Sequence, residues 1–131
     1  MSKLPLRYRL AWIGAIWLLV AFIIAGSLVP DLGPLAIAGS DKFEHFAAYL
    51  ALSLLSSAVV TSDRLPWVLA GVLLLGMSLE AAQALLTVKR TADWTDALAN
   101  ASGILVAWWL VRRRAGWALA VEAWLAGLRR H

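Results

Sequence analysis

The segment "DKFEHFAAYL", residues 41–50, places charged side chains directly before an apolar run that continues to Val60. Four of its first five side chains are ionisable: Asp41, Lys42, Glu44 and His45. His45 and Tyr49 are four residues apart, so a helix would carry them one above the other on the same face. The segment therefore predicts a helix whose polar stripe runs from one end into apolar surroundings.

The composition indicates a membrane protein. Of the 131 residues, 62% are hydrophobic and 15% are charged, and the mean hydropathy is +0.76. A soluble domain of this length has too much surface for its volume to hide that apolar area. Eight tryptophans fit the membrane–water interface, where indole rings are enriched. Because the chain has no cysteine, disulfides, zinc–thiolate sites and a cysteine nucleophile are excluded.

Four apolar segments are long enough to cross a bilayer as helices. A hydrocarbon core about 30 Å thick needs roughly 17–25 helical residues. The segments show no alternation of apolar and polar residues, which argues against membrane strands. The predicted spans are residues 10–29, 43–60, 66–88 and 95–111. We therefore predict an all-α fold, a polytopic membrane helical bundle with four transmembrane helices in a domain of residues 1–111.

The basic residues predict the orientation of this bundle. Nine lysines and arginines fall on the side that both termini share, and three fall on the other side. The positive-inside rule then places both termini in the cytoplasm. Residues 112–131 are expected to form a separate basic tail, an amphipathic helix in the cytoplasmic interface with its arginines toward anionic lipids. Its apolar stripe consists of Trp117, Val121, Trp124, Leu125 and Leu128.

Polar residues of the second, third and fourth spans are expected to meet at the outward-facing end. A rise of about 1.5 Å per residue places Glu80 roughly 12 Å inside the boundary. Helical spacing aligns a polar stripe on each of the three spans: His45 with Tyr49, Glu80 with Gln83, and Asp96 with Asn100. The first span has no such stripe and is expected to be a scaffold. One outward-facing polar pocket follows, and its rim consists of Asp41, Lys42, Arg90 and Asp93.

The chemistry of these side chains suggests roles within the pocket. His45 and Glu80 are the candidate acid–base pair, because a desolvated glutamate can be tuned toward neutral pH. The expected ligand-binding residues are Asp41, Lys42, Tyr49, Gln83, Arg90, Asp96 and Asn100. Structural alternatives stay open, since buried polar groups also join helices and aspartates cap them. No metal or other cofactor is expected, because H-E-x-x-H is absent and the second histidine, His131, lies on the opposite side.

Three sequence blocks resemble the signature of the VanZ-like family. They are "DKFEHFAAYL" at 41–50, "LEAAQ" at 79–83 and "RTADWTDALANASG" at 90–103. In order, they fill a pattern that approximates D-K-x-x-H-F-x-x-Y, E-x-x-Q and R-x5-D-x3-N-x2-G. The resemblance covers about residues 10–111 and leaves out the tail. It implies a small multi-pass protein of the bacterial cytoplasmic membrane, in a family whose founding member is associated with low-level teicoplanin resistance.

Three functions stay open at this point. An outward-facing enzyme or processing factor could act on a lipid-linked or cell-envelope precursor, with Lys42 and Arg90 holding its anionic head group. A non-catalytic module could bind a lipid head group, a lipophilic antibiotic or a partner membrane protein in the same pocket. Transport of a small solute or ion would require a homo-oligomer, which is also left open. No nucleic-acid partner is expected, because membrane topology accounts for the basic residues.

Overall fold

The computed structural model describes residues 6–28, 40–86 and 93–128. Within these residues the chain forms α-helices and no strand, which confirms the all-α prediction. The helices are α1 (Arg9–Leu28), α2 (Ser40–Ala58), α3 (Leu65–Leu86), α4 (Trp94–Arg113) and α5 (Trp117–Leu128). The helices α1 to α4 overlap the four segments predicted as spans, and α5 lies within the predicted tail of residues 112–131.

Two of the described helices are long and apolar enough to cross a membrane, judged by length and composition: α1 and α3. The helices α2 and α4 do not meet the same criterion. The physical reason is that α2 and α4 carry the polar residues of the predicted pocket, among them Lys42, His45 and Asp96. A bundle with two candidate spans is therefore what the hydropathy of the described helices supports.

Consecutive helices among α1 to α4 run in opposite directions. At one end, Gln83 near the end of α3 donates a hydrogen bond to the Ser27 carbonyl near the end of α1. At the same end, Lys42 at the start of α2 contacts Asp96 at the start of α4. We call this the site end. At the opposite end, the tail end, Arg9 of α1 donates to the Val59 carbonyl just after α2. The helices α2 and α4 are therefore parallel neighbours.

A single glycine brings the backbones of α2 and α4 together. A Cβ atom on Gly103 would lie 2.9 Å from the backbone nitrogen of Leu50 and closer still to the carbonyl oxygen of Phe46. Only glycine permits so close an approach, because any side chain would overlap the backbone of α2. The pair α2–α4 forms the most extensive helix–helix contact in the described chain. Gly103 thus fixes how deeply the two helices interlock.

Apolar side chains from all four helices fill the space around this contact. The largest fully buried apolar side chains, Tyr49 and Leu52, belong to α2. The ring of Tyr49 packs closely against Gly76 of α3, where a Cβ atom would lie 3.0 Å from the ring. The other buried apolar residues of this core are Ile23, Leu65, Leu69, Val72, Leu79 and Ile104.

The tail helix folds back onto the start of α1. Gly116 has a φ of 78°, which lies in the left-handed region that glycine adopts without strain, and it allows the turn between α4 and α5. Trp117 at the start of α5 packs edge-on against Trp12, with ring centroids 5.5 Å apart. Its indole N–H also donates to the Ser57 hydroxyl at 3.2 Å. The other large apolar residues of the predicted stripe, Trp124, Leu125 and Leu128, are exposed.

Glu122 fastens α5 to α1. Its carboxylate accepts hydrogen bonds from the backbone N–H groups of Arg7 and Tyr8, at 2.7 and 3.0 Å, and from the Trp12 indole at 2.9 Å. The start of a helix leaves N–H groups without intrahelical partners, so a carboxylate from another helix stabilises it. Burial acts to raise the pKa of Glu122, but these bonds outweigh it and lower the pKa. The tail is therefore packed against the bundle as well as amphipathic.

We expect Gly103→Ala to destabilise the protein and Gly71→Ala to leave it unchanged or stabilise it. Both glycines lie inside helices, but a Cβ on Gly71 would meet nothing within 4 Å. Overpacking against the α2 backbone is expected to cost about 1–3 kcal/mol, whereas removing a helical glycine is favourable by up to about 1 kcal/mol. Thermal unfolding in detergent measures both. Equal shifts of the two variants would contradict the close packing of α2 and α4.

Candidate functional site

His45 lies at the point where α2, α3 and α4 meet at the site end. Its Nδ1 atom is 3.0 Å from Oδ1 of Asn100 on α4 and 3.8 Å from Oε1 of Glu80 on α3. In this orientation the Asn100 amide presents its oxygen to the ring, and because an amide oxygen only accepts, the contact places a proton on Nδ1. The predicted convergence of three helices is thus centred on this imidazole.

The other ring nitrogen of His45 faces two carboxylates. Its Nε2 atom is 3.8 Å from Oδ1 of Asp41 and 3.9 Å from Oδ2 of Asp96. Both distances exceed the range of N–H···O hydrogen bonds. In a neutral imidazole that carries its proton on Nδ1, the Nε2 edge presents a lone pair. Two acidic groups therefore surround an electron-rich edge of the ring.

Lys42 bridges the starts of α2 and α4. Its ammonium donates to Oδ1 of Asp96 at 2.8 Å and to Oδ2 of Asp93 at 2.9 Å. These bonds, that to Asp96 first, raise the pKa of Lys42. Hydrogen bonding to Thr95 and to Lys42 lowers the pKa of Asp93 to about 2. Asp93 also caps α4, because its carboxylate accepts from the backbone N–H of Thr95 at 2.9 Å.

Two buried polar atoms beside His45 lack a hydrogen-bond partner within the described ranges 6–28, 40–86 and 93–128: Oε2 of Glu80 and Nδ2 of Asn100. Glu80 is 8% exposed and Asn100 is 1% exposed. An unpaired buried polar atom costs about 1–3 kcal/mol, so it is uncommon where nothing but stability is selected. This combination is typical of a site whose partner is a ligand.

The remaining predicted ligand residues are divided between the pocket and its supports. Gln83 donates from Nε2 to the Ser27 carbonyl at 2.8 Å, which ties α3 to the last turn of α1. Tyr49 is 2% exposed and packs against Gly76 in the core, and it also lines the groove that reaches His45. Arg90, predicted at the rim, lies outside the described residues.

An apolar groove between α1 and α2 leads to His45. The cavity has a volume of about 280 Å³. Its walls are mainly apolar, and the polar side chains of Asp41, Glu44 and His45 stand at its mouth. The apolar lining comes mostly from Leu19, Phe22, Ile23, Gly26, Ala47 and Ala48. The helix α1, expected to be only a scaffold, therefore supplies one wall of the site.

The sequence predicts neither the groove nor the pairing of Asp93 with Lys42, and it assigns Glu44 no role in the pocket. Glu44 gives a weak signal, because its position beside His45 fits a solvated interface residue equally well. Asp93 was expected as a rim or capping residue, but its pairing with Lys42 depends on the α2–α4 packing. The groove has no sequence signal, since it arises from the angle between two helices rather than from any spacing.

Comparison of this chain with protein-family models, with curated proteins and with solved structures gives no match. The VanZ-like resemblance therefore rests on the three motif blocks, and the function has to be argued from the geometry of the site.

We expect Lys42→Gln to lower the melting temperature between about pH 5 and pH 9, because both aspartates lose their cation. The folded-state pKa of Asp93 lies below its ordinary value of 3.8, so its contribution is present above that value and is lost as the pH falls toward 2. The pKa of Lys42 is raised above 10.5, so its contribution is complete below that pH and is lost at still higher pH.

The measurement is the melting temperature of wild type minus that of Lys42→Gln across this pH series. Arg64→Gln is the matched control, since Arg64 is an exposed cation at the tail end. A difference that is absent, or that persists unchanged at pH values near 2, would show that the bridge does not stabilise the fold.

Proposed function

We propose that this chain is a VanZ-like integral membrane protein that binds, and acts on, a lipid-linked or cell-envelope ligand at its site end. The observation that carries the proposal is the continuity between the apolar groove of about 280 Å³ and the buried polar cluster around His45. An amphiphile matches this arrangement, because its chain would occupy the groove and its head group would lie at the polar mouth.

The surface of the bundle supports a membrane location. Large apolar side chains point outward from α1, α3 and α4, with exposed fractions of 68% at Trp17, 80% at Trp67 and 60% at Leu105. Contiguous exposed apolar surface on this scale is unfavourable in water and favourable in lipid. The proposal includes four spans, because the polar stripes of α2 and α4 are turned into the bundle rather than toward lipid.

The charges support an orientation with the site end outward. The described arginines cluster at the tail end, where the positive-inside rule places the cytoplasm. Arg112 lies over the ring of Trp108 at 4.9 Å and Arg113 over Trp109 at 5.2 Å, which suits an interfacial belt. The proposed location is the bacterial cytoplasmic membrane with both termini inside. The exposed apolar face of α5 would lie in the cytoplasmic interface, and the arginines of the tail would face anionic lipids.

His45 and Glu80 are the proposed proton-transfer pair. Their 3.8 Å separation is longer than a hydrogen bond, and such contacts often tighten when a ligand binds. Asn100 holds the imidazole in place from the opposite helix. An anionic head group would share Lys42, whose side chain is 50% exposed at the rim. Arg90 is a further proposed contact for the head group.

A non-catalytic binding module is the second candidate. The observation in its favour concerns Ser53, the hydroxyl that follows Tyr49 along the inward stripe of α2. Ser53 is 0% exposed, so it cannot serve as a nucleophile toward a ligand in the groove. The same cluster would then recognise a head group without changing it, and only an assay of both binding and conversion separates the two candidates.

We expect Glu80→Gln and His45→Gln to remain folded and to abolish conversion of the ligand. Glu80→Gln keeps the shape of the side chain, and its cost to stability is about 0.6–1 kcal/mol if it serves only to join helices. The probe is a short-chain polyprenyl pyrophosphate, and a polyprenol of the same length controls for chain binding. Binding, phosphate release and thermal unfolding are measured on the same preparations.

Asp63→Asn, at the tail end, is the matched variant and should behave as wild type. Binding of the probe by wild type without phosphate release would favour the non-catalytic module. Phosphate release that survives in both Glu80→Gln and His45→Gln would eliminate the acid–base pair. Equal affinity for the pyrophosphate and the polyprenol would overturn head-group recognition at this site.

A further inference from the structure

We propose that the site end holds a divalent transition-metal cation between Asp41, His45 and Asp96. Each of these residues offers one ligand atom, and the three atoms lie within 4.8 Å of one another. Two of the residues belong to the first turns of α2, at the i and i+4 positions, and the third belongs to the first turn of α4. The set joins the two helices that Gly103 brings into contact.

The hydrogen bonding of the imidazole prepares it to bind a cation. A histidine ligand typically donates its other ring N–H to an oxygen acceptor, which fixes the tautomer and the ring orientation. Here Nδ1 donates to Oδ1 of Asn100 at 3.0 Å. The Nε2 lone pair is then free and directed at the two aspartates. Asn100 thus has the geometry of an outer-sphere partner to a metal-bound histidine.

The distances on the Nε2 edge fit an ion better than they fit a hydrogen bond. Oxygens of Asp41 and Asp96 stand 3.8 and 3.9 Å from Nε2. Two carboxylates that face the Nε2 lone pair repel each other and the lone pair, and a cation bound between them would remove that repulsion. Two ligand atoms that each lie roughly 2.0–2.2 Å from a cation are separated by roughly 3–4 Å. Asp41 is exposed at the rim, so its side chain can turn toward the ion.

Glu80 supplies an independent observation on the other side of the ring. It is 8% exposed, its Oε1 atom is 3.8 Å from Nδ1 of His45, and its Oε2 atom has no hydrogen-bond partner among the described residues. A buried carboxylate without a cationic partner is costly. A cation at Nε2 would place a positive charge across the imidazole from the Glu80 carboxylate, while the Nδ1 proton stays with Asn100.

The charges of the described cluster are unbalanced without such an ion. Four carboxylates lie here, from Asp41, Glu80, Asp93 and Asp96, and the one cationic side chain in contact with them in the described chain is Lys42. Lys42 donates hydrogen bonds to Asp93 and to Oδ1 of Asp96. The other oxygen of Asp96, Oδ2, is therefore available to a cation. A divalent ion would offset two of the three excess negative charges of these contacts.

The donor set defines the class of cation. One imidazole nitrogen with two carboxylate oxygens suits Mn²⁺ or Zn²⁺ better than Mg²⁺ or Ca²⁺, which prefer oxygen ligands alone. Three protein ligands leave further positions open toward the groove mouth. If the proposed function holds, those positions supply the positive charge that an anionic head group needs.

The test measures binding of Mn²⁺ alone to the purified full-length protein in detergent, after treatment with a chelator. Electron paramagnetic resonance reports free Mn²⁺, and no lipid probe is present, so the result is independent of whether the proposed lipid binds. We expect saturable binding of one Mn²⁺ per chain, competed by Zn²⁺. Asp41→Asn and His45→Gln should each weaken it by about tenfold or more, and added Mn²⁺ should raise the melting temperature of wild type but not of these two variants.

Asp63→Asn is the control for a carboxylate outside the cluster and should bind as wild type does. Asp41→Asn is the most informative variant, because Asp41 is exposed and its loss leaves the Lys42 bridge in place. Wild-type protein that shows no saturable binding below about 1 mM Mn²⁺ would overturn the proposal. Binding that Asp41→Asn and His45→Gln leave unchanged would overturn it equally.

Discussion

The backbone contact between α2 and α4 at Gly103 is the constraint on which the site depends. Because the two helices are parallel and meet without an intervening side chain, residues near their starts come into direct reach of one another. Lys42 then contacts Asp96, and His45 contacts Asn100. A wider spacing would break both contacts at once. The third helix adds Glu80 from the side, and α1 closes the groove without contributing a polar side chain of its own to the cluster.

Electrostatics gives this arrangement its character. The cluster concentrates carboxylates around one imidazole and one lysine. Asp41, Lys42 and Asp93 are partly exposed, whereas Glu80 and Asp96 are buried, and unpaired charges are expensive in that buried part. Part of this unfavourable free energy is offset within the fold. Lys42 pairs with two of the carboxylates, and Asp93 is stabilised further by the hydrogen bond through which it caps α4. The remainder, at Glu80 and on the Nε2 edge of His45, is what indicates a bound partner, whether proton, cation or head group.

Much of the architecture could be predicted from the sequence, because apolar run length and helical spacing determine it. The stripes through His45, Glu80 and Asn100 follow from i, i+4 geometry, and the helix bounds follow from where apolar runs meet charges. The groove, the engagement of Lys42 by two aspartates and the Glu122 bonds to the start of α1 depend on how helices rotate against each other. That rotation is set by close backbone contacts such as the one at Gly103. No rule of residue spacing predicts how closely the two helices approach there.

The proposed cation site likewise combines a feature that helical spacing predicts with one that depends on how the helices pack. Asp41 and His45 are visibly four residues apart, but nothing in the sequence indicates that Asp96 approaches the same edge of the ring. A search for familiar metal motifs finds none, since the ligands come from two helices rather than one. The tail shows a related limit, because its amphipathic pattern is compatible both with a lipid surface and with packing against α1.

The tautomer of His45 tests the central arrangement most directly. In a His131→Gln chain labelled with ¹⁵N histidine, His45 is the only imidazole, and its two nitrogen shifts at about pH 8 identify the protonated atom. The packing of α2 against α4 predicts a proton on Nδ1 and a lone pair on Nε2, with that preference lost in Asn100→Leu. A proton on Nε2 in the parent chain would mean that His45 does not donate to Asn100, and would contradict both the geometry of the site and the cation proposed for it.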